Sequence, residues 1–320
     1  MKRAFTLIEM IFVIVIMGIL SVGTFSFLNH IYKRSAKTKI ITDLSFSSQV
    51  VVDQISALLY ERIPQSVIGY RPSDRSFVSI NDLDGTYPVL EWIGYASEAL
   101  KSGEYSGFVD MDASDRDTNT LHSFGIAQNE LNTTEYKKFG ISYNYSSPND
   151  ANVTTIIFSG SFDDGSIDSD FNNSFGWHGN DHNFTYDITK IDSSSNITLA
   201  KRPQAIYEKY YLADSAYAIA RGENINQAVS CIKDLNISND DVNNTLFLFY
   251  NYRPWRGETF CADVDDAKGK REGNVTVLSF DAGGFRAGLI NDSIYFELTL
   301  SKRVKGTKND INISKQKVLF

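Results

Sequence analysis

From Phe5 to Leu28 the chain reads FTLIEMIFVIVIMGILSVGTFSFL, a stretch whose only charge is Glu9. As a helix it is about 36 Å long, enough to cross a bilayer core of about 30 Å with some tilt. A buried core helix is the bland alternative, but so long a run without polar relief does not suit one. A secretory signal peptide would place small residues after a shorter apolar stretch. Here the small residue, Ala4, precedes it. The apolar positions then thin to a stripe. Ile40, Leu44, Val51, Ile55 and Leu58 recur near helical spacing, interrupted once by Ser47 and Ser48, while Asp43, Gln49, Asp53 and Gln54 fall largely on other faces. Ile63-Pro64 stops the pattern, because proline disfavours helix at the residue before it. The pattern predicts one helix from about residue 5 to 62, with Gly18 and Gly23 as its soft points. Its second half lays the apolar stripe against a sheet.

Beyond residue 64 the runs become short and rich in β-branched and aromatic residues. Tyr87 to Tyr95, Thr154 to Phe158, Ile206 to Leu212, Ala216 to Ala220, Leu246 to Tyr252, Val275 to Phe280 and Ile294 to Leu300 read as strands, separated by Gly, Asn, Asp and Ser clusters. Asp281-Ala282-Gly283-Gly284 reads as a turn between the last two. Residues 101–200 are unusually polar and read as long loops around a few strands. No internal repeat is visible. The expected class is α+β: a long N-terminal helix, membrane-spanning in its first half, packed on a large antiparallel β-sheet head with long loops.

Composition sharpens the division. The 320 residues carry a net charge of −8, which argues against direct nucleic-acid binding. Yet Lys2, Arg3, Lys33, Arg34, Lys37 and Lys39 face only Glu9 in the first forty positions. A basic, apolar start joined to an acidic, polar remainder reads as an anchor plus a head. Charges alone would put the segment after the span in the cytoplasm.

Met1-Lys2-Arg3-Ala4 followed by Phe5-Thr6-Leu7-Ile8-Glu9 resembles the leader of type IV prepilins and type II secretion pseudopilins. The resemblance is tight over about thirty residues and beyond them rests on architecture. It implies cleavage between Ala4 and Phe5 by a prepilin peptidase and N-methylation of Phe5. Ala4 stands where the family usually has glycine. Glu9 becomes the fifth mature residue. Independently, a carboxylate inside a membrane span is costly enough to mark a functional residue; the plain alternative is snorkelling to the headgroups. On this reading residues 1–4 are leader, 5–28 the transmembrane segment, 29–62 its amphipathic continuation and 63–320 an extracytoplasmic head. The implied partners are the peptidase, other pilins or pseudopilins, the inner-membrane assembly platform and lipid. The implied location is single-pass in a bacterial inner membrane, with the head in the periplasm or at the cell surface. The large head looks like that of a minor subunit, J-type in particular.

Cys231 and Cys261, thirty residues apart, are a disulfide candidate suited to an exported head; two free thiols are the alternative. Eleven positions match Asn-x-Ser/Thr, and eight of them carry Asp or Glu two residues earlier: Asn132, Asn152, Asn172, Asn183, Asn236, Asn243, Asn274 and Asn312. The longer pattern resembles the acceptor of bacterial N-glycosylation systems that require that acid; polar-loop composition is the alternative. His178 and His182, with Asp181, are a metal candidate on a loop. Asp263, Asp265 and Asp266 are a weak calcium candidate, since none of the acidic stretches completes a twelve-residue calcium loop. No other cofactor is implied. No hydrolase, nucleotide-binding or metalloprotease motif appears, so a structural filament subunit is expected rather than an enzyme. A pilin-stemmed adhesin or cargo-recognition module, or a competence-pilus subunit, is the alternative.

Overall fold

The computed structural model describes residues 7–126, 154–162, 171–225, 230–262, 270–304 and 310–319. The N-terminal helix is α1, Leu7–Tyr60, 54 residues and about 80 Å long. It passes through Gly18 and Gly23 without a break. From Leu44 onward it packs, burying Leu44, Ser48, Val51, Val52, Ile55, Ser56 and Leu59. These positions repeat at three and four residues, the spacing of one helical face. The stripe differs from expectation at its ends, where Ile40 and Leu58 are half-buried and Leu59 takes the innermost place. Ser48 is part of the stripe rather than an interruption. Its hydroxyl donates to the Ser45 carbonyl at 2.9 Å, and Ser56 likewise donates to Val52 at 2.7 Å, so neither enters the core unsatisfied. Helical hydrogen bonding ends as expected before Pro64, which opens a 3-10 turn, Pro64–Ser66.

The head is built on antiparallel sheets. The larger has eleven strands among the described residues. They are β1 (Ile68–Arg71), β2 (Ser76–Ser79), β3 (Val89–Tyr95), β4 (Asp110–Asp115), β5 (Thr120–His122), β6 (Thr155–Phe158), β7 (Tyr186–Ile191), β8 (Asn196–Leu199), β9 (Tyr210–Arg221), β10 (Leu246–Tyr252) and β11 (Asn274–Ser279). The order is β2-β1-β3-β9-β6-β7-β8-β5-β4, with β10 joining β9 to β11. Strand β9 is the hub. One edge pairs with β3, and the other pairs with β6 over Tyr210 to Ala213 and with β10 over Ala216 to Arg221. The two strands expected at Ile206 to Leu212 and Ala216 to Ala220 are therefore one.

The second sheet is the meander β12 (Ala282–Ile290), β13 (Ser293–Arg303) and β14 (Asp310–Leu319). Here the expected turn at Asp281 to Gly284 is corrected. Ala282, Gly283 and Gly284 open β12, and the chain reverses instead at Asn291-Asp292, whose φ values of 47° and 58° suit a two-residue hairpin loop. Between residues 101 and 200, β4, β5, β7 and β8 pair where loops dominate the sequence pattern.

The helix binds the two sheets into one core. Val52, Ile55 and Leu59 meet Trp92 and Ile219 of the large sheet and Phe296, Leu298 and Leu300 of the small one. The Lys315 ammonium on β14 donates to the Ser45 carbonyl at 3.1 Å and to Gln49 at 2.8 Å. Buried Arg221 crosses between the sheets, its Nε donating to the Ala282 carbonyl at 3.0 Å. Gly222 lets this junction close, since a Cβ there would lie 1.9 Å from the Val242 carbonyl oxygen. A second cluster, including Phe175, Trp177, Phe247, Trp255 and Phe260, covers the opposite face of the large sheet. Cys231, on α2 (Ser230–Lys233), forms a disulfide with Cys261, with Cα atoms 5.8 Å apart.

Candidate assembly helix and head surface

No residue in the first two-thirds of α1 is fully buried in the isolated chain. Every large apolar side chain from Leu7 to Leu28 is exposed, among them Leu7 at 80% and Phe25 at 70%. One continuous helix thus carries a naked apolar end and a head-packed end, the combination that the sequence pattern predicts. In the naked part Thr24 is satisfied internally, its hydroxyl donating to the Leu20 carbonyl at 2.8 Å. Glu9 lies in the first turn, where the helix dipole favours a negative charge. Ala4 and Phe5 lie outside the described residues.

Below the apolar segment the helix becomes basic. His30, Lys33, Arg34 and Lys37 share a groove of about 540 Å³ with Val304, Asp310 and Ile311 of the small sheet. At the far end of α1 a second groove, about 480 Å³, is lined by Tyr60, Arg62, Tyr95, Tyr105, Phe108, Lys209 and Tyr211. Phe108 and Tyr60 are more than half exposed. Arg62 donates to the Leu59 carbonyl at 2.7 Å, and burial lowers its pKa. Sequence reasoning missed this groove, because these members come from four separate segments.

The histidines do not form one centre. His178 stacks on Tyr70, centroids 3.7 Å apart, and its Nε2 lies 3.0 Å from the Glu91 carboxylate. Glu91 is 1% exposed and accepts a hydrogen bond from the Tyr252 hydroxyl at 2.7 Å. The only hint in the sequence is the acid within the apolar run Val89-Leu90-Glu91-Trp92-Ile93. His182 instead meets Thr185 at 3.0 Å and Lys201 at 3.3 Å. Burial, then the Lys201 charge, lowers the His182 pKa; burial likewise lowers that of Lys201. Burial raises the pKa of Asp187 against the pull of Arg256, whose guanidinium lies 3.1 Å away. Asp181 does not join His178 and His182 in a ligand set: among the described residues no three His, Cys, Asp or Glu side chains are grouped to hold a metal. Asp263, Asp265 and Asp266 lie outside the described residues, as do Asn132 and Asn152. The asparagines of the other six acid-preceded sequons are described. Asn172, Asn183, Asn236, Asn274 and Asn312 are exposed, and Asn243 is half-buried.

No curated protein and no solved structure shows significant similarity to the chain. Residues 1–25, by contrast, match the family described as the prokaryotic N-terminal methylation motif. That motif, running into an exposed apolar helix that continues onto an antiparallel head, gives the chain the prepilin-type N-terminus of the pilin and pseudopilin family.

Proposed function

We propose that the protein is a minor subunit of a type IV pilus or type II secretion pseudopilus, held in the inner membrane until it joins a filament through α1. The observation that carries this is the naked apolar length of α1 in a helix whose other end is locked into the head. Lipid tails and neighbouring apolar helices satisfy such a surface equally well. The polar groups therefore decide where it comes to rest. Cleavage between Ala4 and Phe5 by prepilin peptidase would expose an amine one helical turn from Glu9. A neighbour's amine against Glu9 neutralises both charges in apolar surroundings and sets the axial register. The head then faces the periplasm or the cell surface, in keeping with the disulfide. The subunit is structural rather than catalytic.

Two measurements test this. Edman sequencing and intact mass of the native protein should give methylated Phe5 as the first residue. Glu9→Gln should leave the folded subunit in the membrane but reduce its incorporation into filaments at least tenfold. A mature protein that retains residues 1–4, together with normal incorporation of the Glu9→Gln subunit, would refute the assignment. A second reading, in which the stem displays a recognition head, is favoured by the groove of tyrosines, Arg62 and Lys209 at the end of α1. Lys209→Glu with Phe108→Ala should then abolish secretion or adhesion while filaments still form.

A further inference from the structure

Acids make up 39 of the 320 residues, so chance places one at a fixed offset in one or two of eleven sequons, yet eight have it two residues before the asparagine. The fold adds a second regularity. Among the six described acid-preceded sequons, five asparagines point to solvent. In three of the six the hydroxyl residue that completes the sequon is sealed inside: Ser174 and Thr245 are 0% exposed and Thr185 is 1% exposed. The Thr245 hydroxyl is committed to the Asp241 carbonyl at 2.8 Å, and that of Thr185 to the His182 carbonyl at 3.1 Å. Two further sequons lie in strands, Asn274 opposite Tyr250 and Asn312 opposite Ser301, where the ladder holds the acceptor straight. Outside the strands, Asp234-Leu235-Asn236-Ile237-Ser238 presents acid, asparagine and hydroxyl together at the surface, on a bent backbone with φ 51° at Asn236.

We propose that the head is N-glycosylated at the acid-preceded sequons as it emerges from the membrane, before folding buries Ser174, Thr185 and Thr245. An enzyme that reads the hydroxyl of each sequon reaches those three only in the open chain. The finished glycans reach water, because Asn172 and Asn183 face outward and Asn243 is only half-buried. The donor is a sugar linked through its anomeric carbon to a lipid diphosphate. The asparagine Nδ2 attacks that carbon and the carbon–nitrogen bond forms. The bond to the diphosphate oxygen breaks, the diphosphate leaves with the electron pair, and the amide loses one proton. No redox partner is needed. The acid two residues upstream supplies a fixed negative charge for a basic contact on the transferase. The inference rests on the head being exported.

The test is glycopeptide mass spectrometry of full-length protein purified from its native membrane, beside an Asp234→Ala variant. Protease treatment of spheroplasts in parallel reports which side the head occupies. The expected result is occupancy at acid-preceded sequons, including Asn172, Asn183 and Asn243, with Asn144, Asn196 and Asn291 bare. Asp234→Ala should lower occupancy at Asn236 about tenfold or more, the cost of one lost charge-assisted contact, and leave the other sites as internal controls of folding and export. An exported head with bare sequons overturns the inference and spares the filament reading. Occupancy regardless of the acid, or confined to sequons with exposed hydroxyls, overturns it too. A head shielded in the cytoplasm overturns both.

Discussion

Replacing both Cys231 and Cys261 with alanine should cost the head about 3–4 kcal/mol. The two residues are thirty apart, and closing a loop of that length removes this much conformational entropy from the unfolded chain. The loop encloses β10, which pairs with β9 and β11 and carries Phe247 and Phe249 into the core. Without the link, the unfolded chain regains freedom that β10 must give up again on pairing. Alanine suits the site because Cys261 is fully buried and a serine would add a hydroxyl to the cost. The assay is urea unfolding of the full-length chain in detergent, followed by tryptophan fluorescence. All three tryptophans are in the head, at 0%, 1% and 2% exposure for Trp92, Trp177 and Trp255, so the signal reports the head and not the stem. Followed on heating by the same fluorescence, the variant's thermal midpoint should fall by roughly 6–15 °C. Reduced wild type should match it within about 1 kcal/mol, the allowance for the lost sulfur atoms. If the variant unfolds at the midpoint of oxidised wild type, or reduction leaves wild type unmoved, the loop-closure argument fails.

Ile55→Ala removes a fully buried side chain from the seam of α1 and both sheets and should destabilise the head by about 2–5 kcal/mol. Ile11→Ala, in the naked part of the same helix, should leave the head's urea midpoint unchanged; equal effects would contradict the division of α1. His182 sets a pH dependence. Its folded-state pKa lies below its ordinary 6.5, because burial and Lys201 disfavour the imidazolium. The stability it contributes is therefore present above pH 6.5 and is lost as pH falls towards the folded-state value. His182→Gln should flatten urea midpoints measured between pH 7 and 5, and an unchanged slope would reject that assignment.

The helix was legible because its signals are local. An uninterrupted apolar run, a stripe at helical spacing and a proline stop each act within a few residues, and α1 follows them to within two residues at its end. Strands β10 and β13 were legible for the same reason, as dense runs of Phe, Leu, Tyr and Ile. The misreadings lie where the deciding partner is distant. Gly283 and Gly284 look like a turn until their pairing with β13 draws them into β12. Ser48 looks like a break until its hydroxyl closes on its own helix. Strands β5 and β8 bury only Leu121, Ile197 and Leu199, and β4 buries no residue, so Asp, Thr and Asn at the other positions hide the alternation. The Glu91, Tyr252 and His178 cluster joins residues up to 161 positions apart. No spacing rule reaches that far.

On the filament reading, the same division lets one chain serve two surroundings. The head's core is closed by α1 from Leu44 onward, so none of its burial depends on what surrounds residues 7–28. Moving that segment from lipid to a bundle of like helices exchanges one apolar environment for another, and the hydrophobic effect, which needs water on one side, contributes little to the choice. What remains is packing, the charge of Glu9 in its first turn, and the basic collar of His30, Lys33, Arg34 and Lys37 at the base of the head. Counted alone, that collar would place the head in the cytoplasm. On the filament reading the leader class overrides the count, and the collar is left to meet anionic headgroups before assembly and acidic neighbouring heads after it. The attraction in both places is electrostatic and weakens with salt. On that reading the apolar segment confines the subunit to the membrane or the filament, and these few charges decide between them.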